Sequence, residues 1–226
     1  MITFPAPVLV QAAAKPKPAV NASVAVRVGT LGVGVEAGIL AVPNVALRLG
    51  YSGYSYSHTQ TSKDVTYDGK LKLSSVSALA DVYPSKSGTF HLTAGLVFNS
   101  NTITATGKPN ITNGAQTYTL NGMTFNASDV GTLDGRASFS KTAPYLGLGF
   151  GKPSGSSPVQ FLFDIGVVFQ GKPRLSLARN GGIAITNPAL SDQINAAINA
   201  QRDKTQSDLN KFQYYPVVSV GLAYRF

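Results

Sequence analysis

The chain has 226 residues, no cysteine or tryptophan, 23 glycines, 13% charged side chains and a formal net charge of +9. The charged share is about half that of a soluble domain, yet no stretch approaches the ~20 consecutive apolar residues of a membrane helix, which excludes helical spans. Without cysteine there is no disulfide framework and no thiolate metal site, and basic residues scattered without a run or basic helix speak against a nucleic-acid partner.

Residues 1–20 carry a short, Pro-interrupted apolar run and a QAAA stretch before Lys15. They read as an atypical or truncated signal or a periplasmic tail, and residues 21–226 as one domain. From Asn21 bulky apolar residues alternate with small or polar ones, the period of a strand with two unlike faces. Strand one directs Val24, Val26 and Val28 one way, and strand two Val33, Val35, Ala37 and Ile39. After a Val42-Pro43-Asn44 turn, strand three places Val45, Leu47, Leu49 and Tyr51 on that face and runs on through Tyr56. A polar loop spans Thr59 to Asp68, and strand four is Lys70 to Val82, where a change of apolar phase near Ser74-Ser75 predicts a bulge.

Strand five alternates Phe90, Leu92, Ala94, Leu96 and Phe98 with His91, Thr93, Gly95, Val97 and Asn99. Thr102 to Gly135 is a long polar excursion with a hairpin expected across Tyr118 to Phe125. Strand six is Arg136 to Phe150, and strand seven places Val159, Phe161, Phe163, Ile165, Val167 and Phe169 outward. Gly171 to Gln213 is the longest loop. Within it Leu190, Ile194, Ala197, Ile198, Gln201, Leu209 and Phe212 make a helical stripe behind Pro188, predicting an amphipathic helix over the barrel mouth or a lid. Strand eight closes the chain, with Val218, Val220, Leu222, Tyr224 and Phe226 on its apolar face.

A terminal phenylalanine on an alternating strand is the C-terminal pattern of outer-membrane barrels. Eight strands, with short connections after two, four and six and longer ones after three, five and seven, give an all-β, eight-stranded antiparallel up-and-down transmembrane barrel with both ends on the periplasmic side. A closed ring leaves no unpaired edge in lipid. Tyr51, Tyr214, Tyr224, Phe150 and Phe226 are candidate interfacial anchors. Lys63, Lys70, Lys108, Arg136, Lys141, Arg174, Arg179, Arg202, Lys204 and Lys211 fall in segments read as extracellular, where they would meet lipopolysaccharide phosphates.

The stretches VRVGTLGVGVEAGILAVPNVALRLGYSGYSYS, TAPYLGLGFGKP, FDIGVVFQGKPRLSL and KFQYYPVVSVGLAYRF, with the polar helical loop before the last, resemble the carbapenem-resistance-associated outer-membrane proteins, also called ornithine-uptake porins. The resemblance spans most of the chain from Asn21. It implies an OmpA-like barrel in the bacterial outer membrane and passage of basic amino acids; it transfers no substrate-binding residue.

The inward-facing ionisable residues are Arg27, Glu36, Arg48, Asp81, His91, Asp164 and Arg225. An eight-stranded barrel is barely wide enough for its own side chains, so enclosed charges must pair. Two readings follow: a narrow or gated channel for small solutes such as basic amino acids, or a closed barrel acting through its extracellular loops. No enzyme is expected, since neither His58 nor His91 has a GxSxG-type nucleophile motif nearby. No cofactor or metal is expected, and the protein is expected to be a monomer whose partners are lipid, lipopolysaccharide and small cationic solutes.

Overall fold

The alternating segments pair with one another in the computed structural model, which describes residues 21–61, 65–109, 117–182 and 186–226. In chain order the elements are β1 (Ala22–Gly29), β2 (Gly32–Val42), β3 (Val45–Thr61), β4 (Val65–Val82), β5 (Phe90–Asn99), β6 (Thr102–Pro109), β7 (Thr117–Leu120), β8 (Met123–Asn126), α1 (Ala127–Val130), β9 (Thr132–Ser138), β10 (Thr142–Phe150), β11 (Val159–Val168), β12 (Arg174–Asn180), α2 (Pro188–Leu209) and β13 (Tyr215–Arg225). Residues 1–20 and Lys63 lie outside the described residues.

Eight strands form an antiparallel ring, β1-β2-β3-β4-β5-β10-β11-β13 and back to β1. Its burial is inverted relative to a soluble sheet. Leu49, Phe161 and Leu222 are each 61% exposed, whereas Arg48, Asp81 and Asp164 are 7%, 1% and 3% exposed. An apolar band on the outside of a closed ring matches hydrocarbon, not water. Aromatic residues stand at its two ends, Tyr51 and Phe98 at one and Phe90, Phe150, Tyr224 and Phe226 at the other.

The wall does not stop at the band. β3 and β4 pair without a break from Val45↔Val82 to Thr61↔Thr66. β4 continues onto β6, β6 onto β9 and β9 onto β12, so five adjacent strands rise above the ring as one sheet. The β5–β6 and β9–β10 segments keep the barrel's register across their breaks. β11 and β12 do not: between the Tyr145↔Val168 and Ser138↔Arg174 pairs the β11–β12 side is one residue shorter than the β9–β10 side, and the chain makes up the difference in the stretch that holds Gly171, at φ 70°.

Against this sheet pack α2 and the β7–β8 hairpin. The hairpin turns on Asn121 (φ 50°) and Gly122 (φ 79°), both left-handed as a two-residue turn requires. α2 begins at Pro188, with the Asn187 side chain accepting from the Leu190 amide. Its buried residues Ile194, Ala197 and Ile198 share one face and join Tyr118, Leu120, Ala127 and Val130 in a second core, with Leu133 and Leu177 of the sheet against it. Burial pushes the Tyr118 phenol up to about 12, with Tyr67 adding to the rise, and its hydroxyl donates to the Gly107 carbonyl at 2.9 Å.

Three expectations are corrected. There is no bulge at Ser74-Ser75, because the β3–β4 register is continuous there. The apolar set changes face, from Val76 and Val82 to Leu71 and Leu73, where the strand leaves the lipid band. Strand six is interrupted between Ser138 and Thr142. The excursions from Thr102 and Gly171 contain β6, β9 and β12 as well as loop. The expected helix α2 lies along β12, with Arg179 bonded to Asn195 and Ser191 and the Leu175 amide to Gln206, and packs on the face of the raised sheet that continues the lumen side.

Candidate functional site in the barrel lumen

The inward faces of the strands deliver side chains to the lumen at three levels. The middle level is ionic. Arg48, on β3, reaches three carboxylates on three other strands: Asp81 on β4 (Nε–Oδ2 2.7 Å), Asp164 on β11 (Nη2–Oδ1 2.9 Å) and Glu36 on β2 (Nη1–Oε2 3.3 Å). Arg27, on β1, donates to Glu36 at 2.9 Å, to Asp164 and to Ser219 at 3.3 Å. Thr93 donates to Asp81 at 2.7 Å. His91 sets Nε2 at 3.3 Å from Asp164, while Nδ1 faces the carbonyls of Thr89 at 3.2 Å and Gly151 at 3.1 Å. Both ring nitrogens thus face oxygen atoms. Gly149 makes the space: a Cβ there would meet His91 Nε2 and Asp164 Oδ1, each at 2.8 Å.

Above this level the lumen is apolar. Val97, Ala143, Tyr145, Val168 and Val217 form a buried cluster, and Leu31, from the β1–β2 turn, folds down onto it with Leu79 and Tyr215. Gly147 leaves room for the Tyr145 ring, whose hydroxyl a Cβ there would meet at 2.5 Å. Below the ionic level the periplasmic turns close the end. Tyr83 is 1% exposed and donates to the Gly151 carbonyl at 2.9 Å. Lys152 sits 5.0 Å above the Tyr83 ring and bonds the carbonyls of Lys86 (2.7 Å) and Pro43 (3.5 Å), tying three turns together.

What space remains is small. The cavity between the apolar and ionic levels, lined by Arg27, Glu36, Asp164, Leu31 and Tyr145, is about 50 Å³, and the one beneath the network is about 10 Å³. Since one water occupies roughly 10–15 Å³ on this measure, these hold a few waters and about one.

Six of the seven inward ionisable residues therefore meet in one cluster. Arg225 does not. It is at the periplasmic rim, donating to the carbonyls of Lys152 and Ser157, each at 3.0 Å, because its position one residue from the chain end puts it below the network. Sequence reasoning missed Leu31, Tyr83, Tyr145 and Lys152 as lumen residues. Leu31 had a legible signal, a lone bulky apolar residue at the tip of a two-residue turn. Tyr83 and Lys152 had none, since turn residues do not declare which way they fold. His58 stacks on Tyr56, with ring centroids 6.3 Å apart, while the neighbouring Ser57 takes the opposite face of β3.

A closed antiparallel ring of eight strands, apolar outside and filled by paired charges inside, defines an up-and-down membrane-spanning β-barrel. Solved structures share this fold. The crystal structure of Acinetobacter baumannii CarO matches with a TM-score of 0.56 and 23% identity, covering 90% of this chain and 97% of that one. That of Acinetobacter baumannii CarO2 matches with a TM-score of 0.56 and 21% identity, covering 91% and 98%. No protein-family model and no curated protein sequence matches the chain. The barrel inferred from the sequence resemblance is the barrel observed.

Proposed function

We propose that this protein is a monomeric barrel of the bacterial outer membrane, closed to solutes in this conformation, that acts through the sheet-and-helix body it holds above the membrane. One observation carries the reading: the lumen is filled at three levels by Leu31 and Tyr145, by the Arg48-centred ion cluster, and by Tyr83 and Lys152. A passing amino acid would need several of these to move together, breaking buried ion pairs whose loss costs several kcal/mol. The apolar outer band supports the membrane assignment, and the C-terminal Tyr224–Phe226 pattern supports the outer membrane.

A second reading, a gated path for small cationic solutes, rests on the carboxylates of Glu36 and Asp164 lining the upper cavity. In it Leu31 is the gate and the ion cluster the filter. Solute flux separates the two. Protein refolded into liposomes, verified by its heat-dependent gel shift, is assayed with ornithine, arginine, glycine and glutamate. Flux no greater than in empty liposomes is the expected result. Flux of ornithine or arginine well above glutamate would overturn the closed barrel in favour of the gated path.

A further inference from the structure

The face of the raised sheet that continues the lipid-contacting wall has an unusual composition. The highest wholly membrane-facing row across the shared strands is Tyr51, Val76, Phe98 and Thr142. Two rows further up, the same face reads Ser55, Lys72, Thr102, Ser138 and Arg174, and the next row reads Ser57, Lys70, Thr104, Arg136 and Ser176. Those ten positions hold four cations and six hydroxyls, with no carboxylate and no apolar side chain. Acids appear only in the third row, and there they are engaged. Asp68 accepts from Thr59 at 2.7 Å and pairs with Lys108 at 3.0 Å; Asp134 accepts from Thr106 at 2.7 Å and Asn180 at 2.5 Å. Lys70, Lys72, Arg136 and Arg174 are all exposed and form no ion pair among the described residues.

We propose that Lys70, Lys72, Arg136 and Arg174 form a seat for the phosphates of the outer-leaflet glycolipid, lipopolysaccharide. This rests on the outer-membrane placement above but not on the state of the lumen. Height supports it. The two rows lie about 14 and 20 Å along the strands from the Tyr51 row, or roughly 10 and 15 Å above it at the usual strand tilt. That is the headgroup zone, into which long basic side chains reach down. Spacing supports it too. Lys70 and Lys72 form one pair, about 7 Å apart on β4; Arg136 and Arg174 form another, about 8 Å apart on β9 and β12. Thr102 and Thr104 of β6 lie between them, so the pairs stand two to three strands apart, roughly 10–14 Å. Two like-charged pairs separated by a strip of hydroxyls suit a disaccharide bearing a phosphate at each end, better than a lipid with a single phosphate. Hydroxyls are left for the sugar, and phosphate removes the repulsion within each pair.

The test uses full-length refolded protein in detergent, with retained lipid counted by native mass spectrometry. The probes are purified lipid A, the same lipid with both phosphates removed, and a single-phosphate phospholipid. Wild type is expected to retain lipid A in preference to both others, with retention falling as salt rises. A variant with all four cations changed to glutamine is expected to lose retention about a hundredfold, in keeping with the effect of a few basic side chains at an anionic lipid surface. A control with Arg202, Lys204 and Lys211 of the opposite region changed to glutamine should match wild type. Equal retention of lipid A with and without phosphates by wild type would overturn the proposal, and that comparison needs no variant to fold. Equal retention by the glutamine variant and wild type would also overturn it; a preference for the single-phosphate lipid would overturn the two-pair geometry. Conduction in liposomes would defeat the closed barrel while leaving every one of these outcomes readable.

Discussion

The barrel and the body above it are built from the same strands with opposite rules. In the barrel, even-numbered positions of β4, from Val76 to Val82, are apolar and face lipid, while Ser75, Ser77, Leu79 and Asp81 face the lumen. Above it, even-numbered positions such as Lys70 and Lys72 are charged, and the odd-numbered Leu71 and Leu73 carry the apolar side. The backbone does not change register between the two. What changes is the medium outside the wall: hydrocarbon rewards apolar surface where water rewards polar surface, so the side-chain pattern inverts and the ladder does not. A change of apolar phase in a β-sequence can therefore mark a membrane boundary as well as a bulge.

If the two regions obey separate rules, they should fail separately. The largest effect is expected inside the ring. Arg48→Met leaves three buried carboxylates short of their common partner and is expected to cost about 3–5 kcal/mol. The urea midpoint of the heat-dependent gel shift should drop sharply, and an unchanged midpoint would mean that the cluster does not hold the barrel. Next comes Ile194→Ala in the extracellular core, where Ile194 is fully buried. Truncation there is expected to cost about 3 kcal/mol. Hydrogen exchange should accelerate in β7, β12 and α2 while the barrel's gel shift stays intact. Loss of both together would show the regions to be one cooperative unit.

The boundary itself can be tested with one substitution made at two heights on the same face. Leu49→Lys puts a charge into the lipid band and is expected to cost about 2 kcal/mol, whereas Ser57→Lys, three rows above the Tyr51 row, should change the urea midpoint little. Equal costs would place the water boundary elsewhere. The smallest effect is at the tip. The Thr59 hydroxyl, with Lys108, holds the Asp68 carboxyl below its ordinary range. A group depressed in this way stabilises the fold at pH values above its ordinary range, and loses that contribution as pH falls through the folded value. Exchange protection at the β3–β4 tip should weaken on acidification in wild type and not in Asp68→Asn.

These contrasts also explain what was legible. Most out-facing residues of the eight ring strands could be read from alternation, because one face had to be largely apolar; the outer Thr142 of β10 could not. β6 and β12 could not. Of their inner face only Leu177 packs against the small core, Ile103 and Ala105 being exposed, and Thr-Ile-Thr-Ala-Thr reads as polar loop. The inward ionisable residues were identifiable by parity, but parity gives direction and not height, which is why Arg225 was grouped with charges it does not meet. The hairpin announced itself through Asn121-Gly122, and α2 through Pro188 and the Ile194/Ile198 spacing. The closing of the lumen by Leu31, Tyr83 and Lys152 depends on how turns fold back, and alternation carries no information about that.

The unbroken pairing of β3 with β4 has a mechanical meaning. Seventeen consecutive residues of β3 are matched to β4 from the periplasmic turn to the outer tip, and the hydrogen bonds between them run across the strand direction. A pull on the tip along the membrane normal therefore draws β3 and β4 together as one unit and loads the bonds to their ring neighbours β2 and β5 mostly in shear, shared over those ladders and not peeled one at a time. The outer body behaves as a mast stepped into the membrane: a tug on it reaches the barrel wall directly, with no soft linker to absorb it.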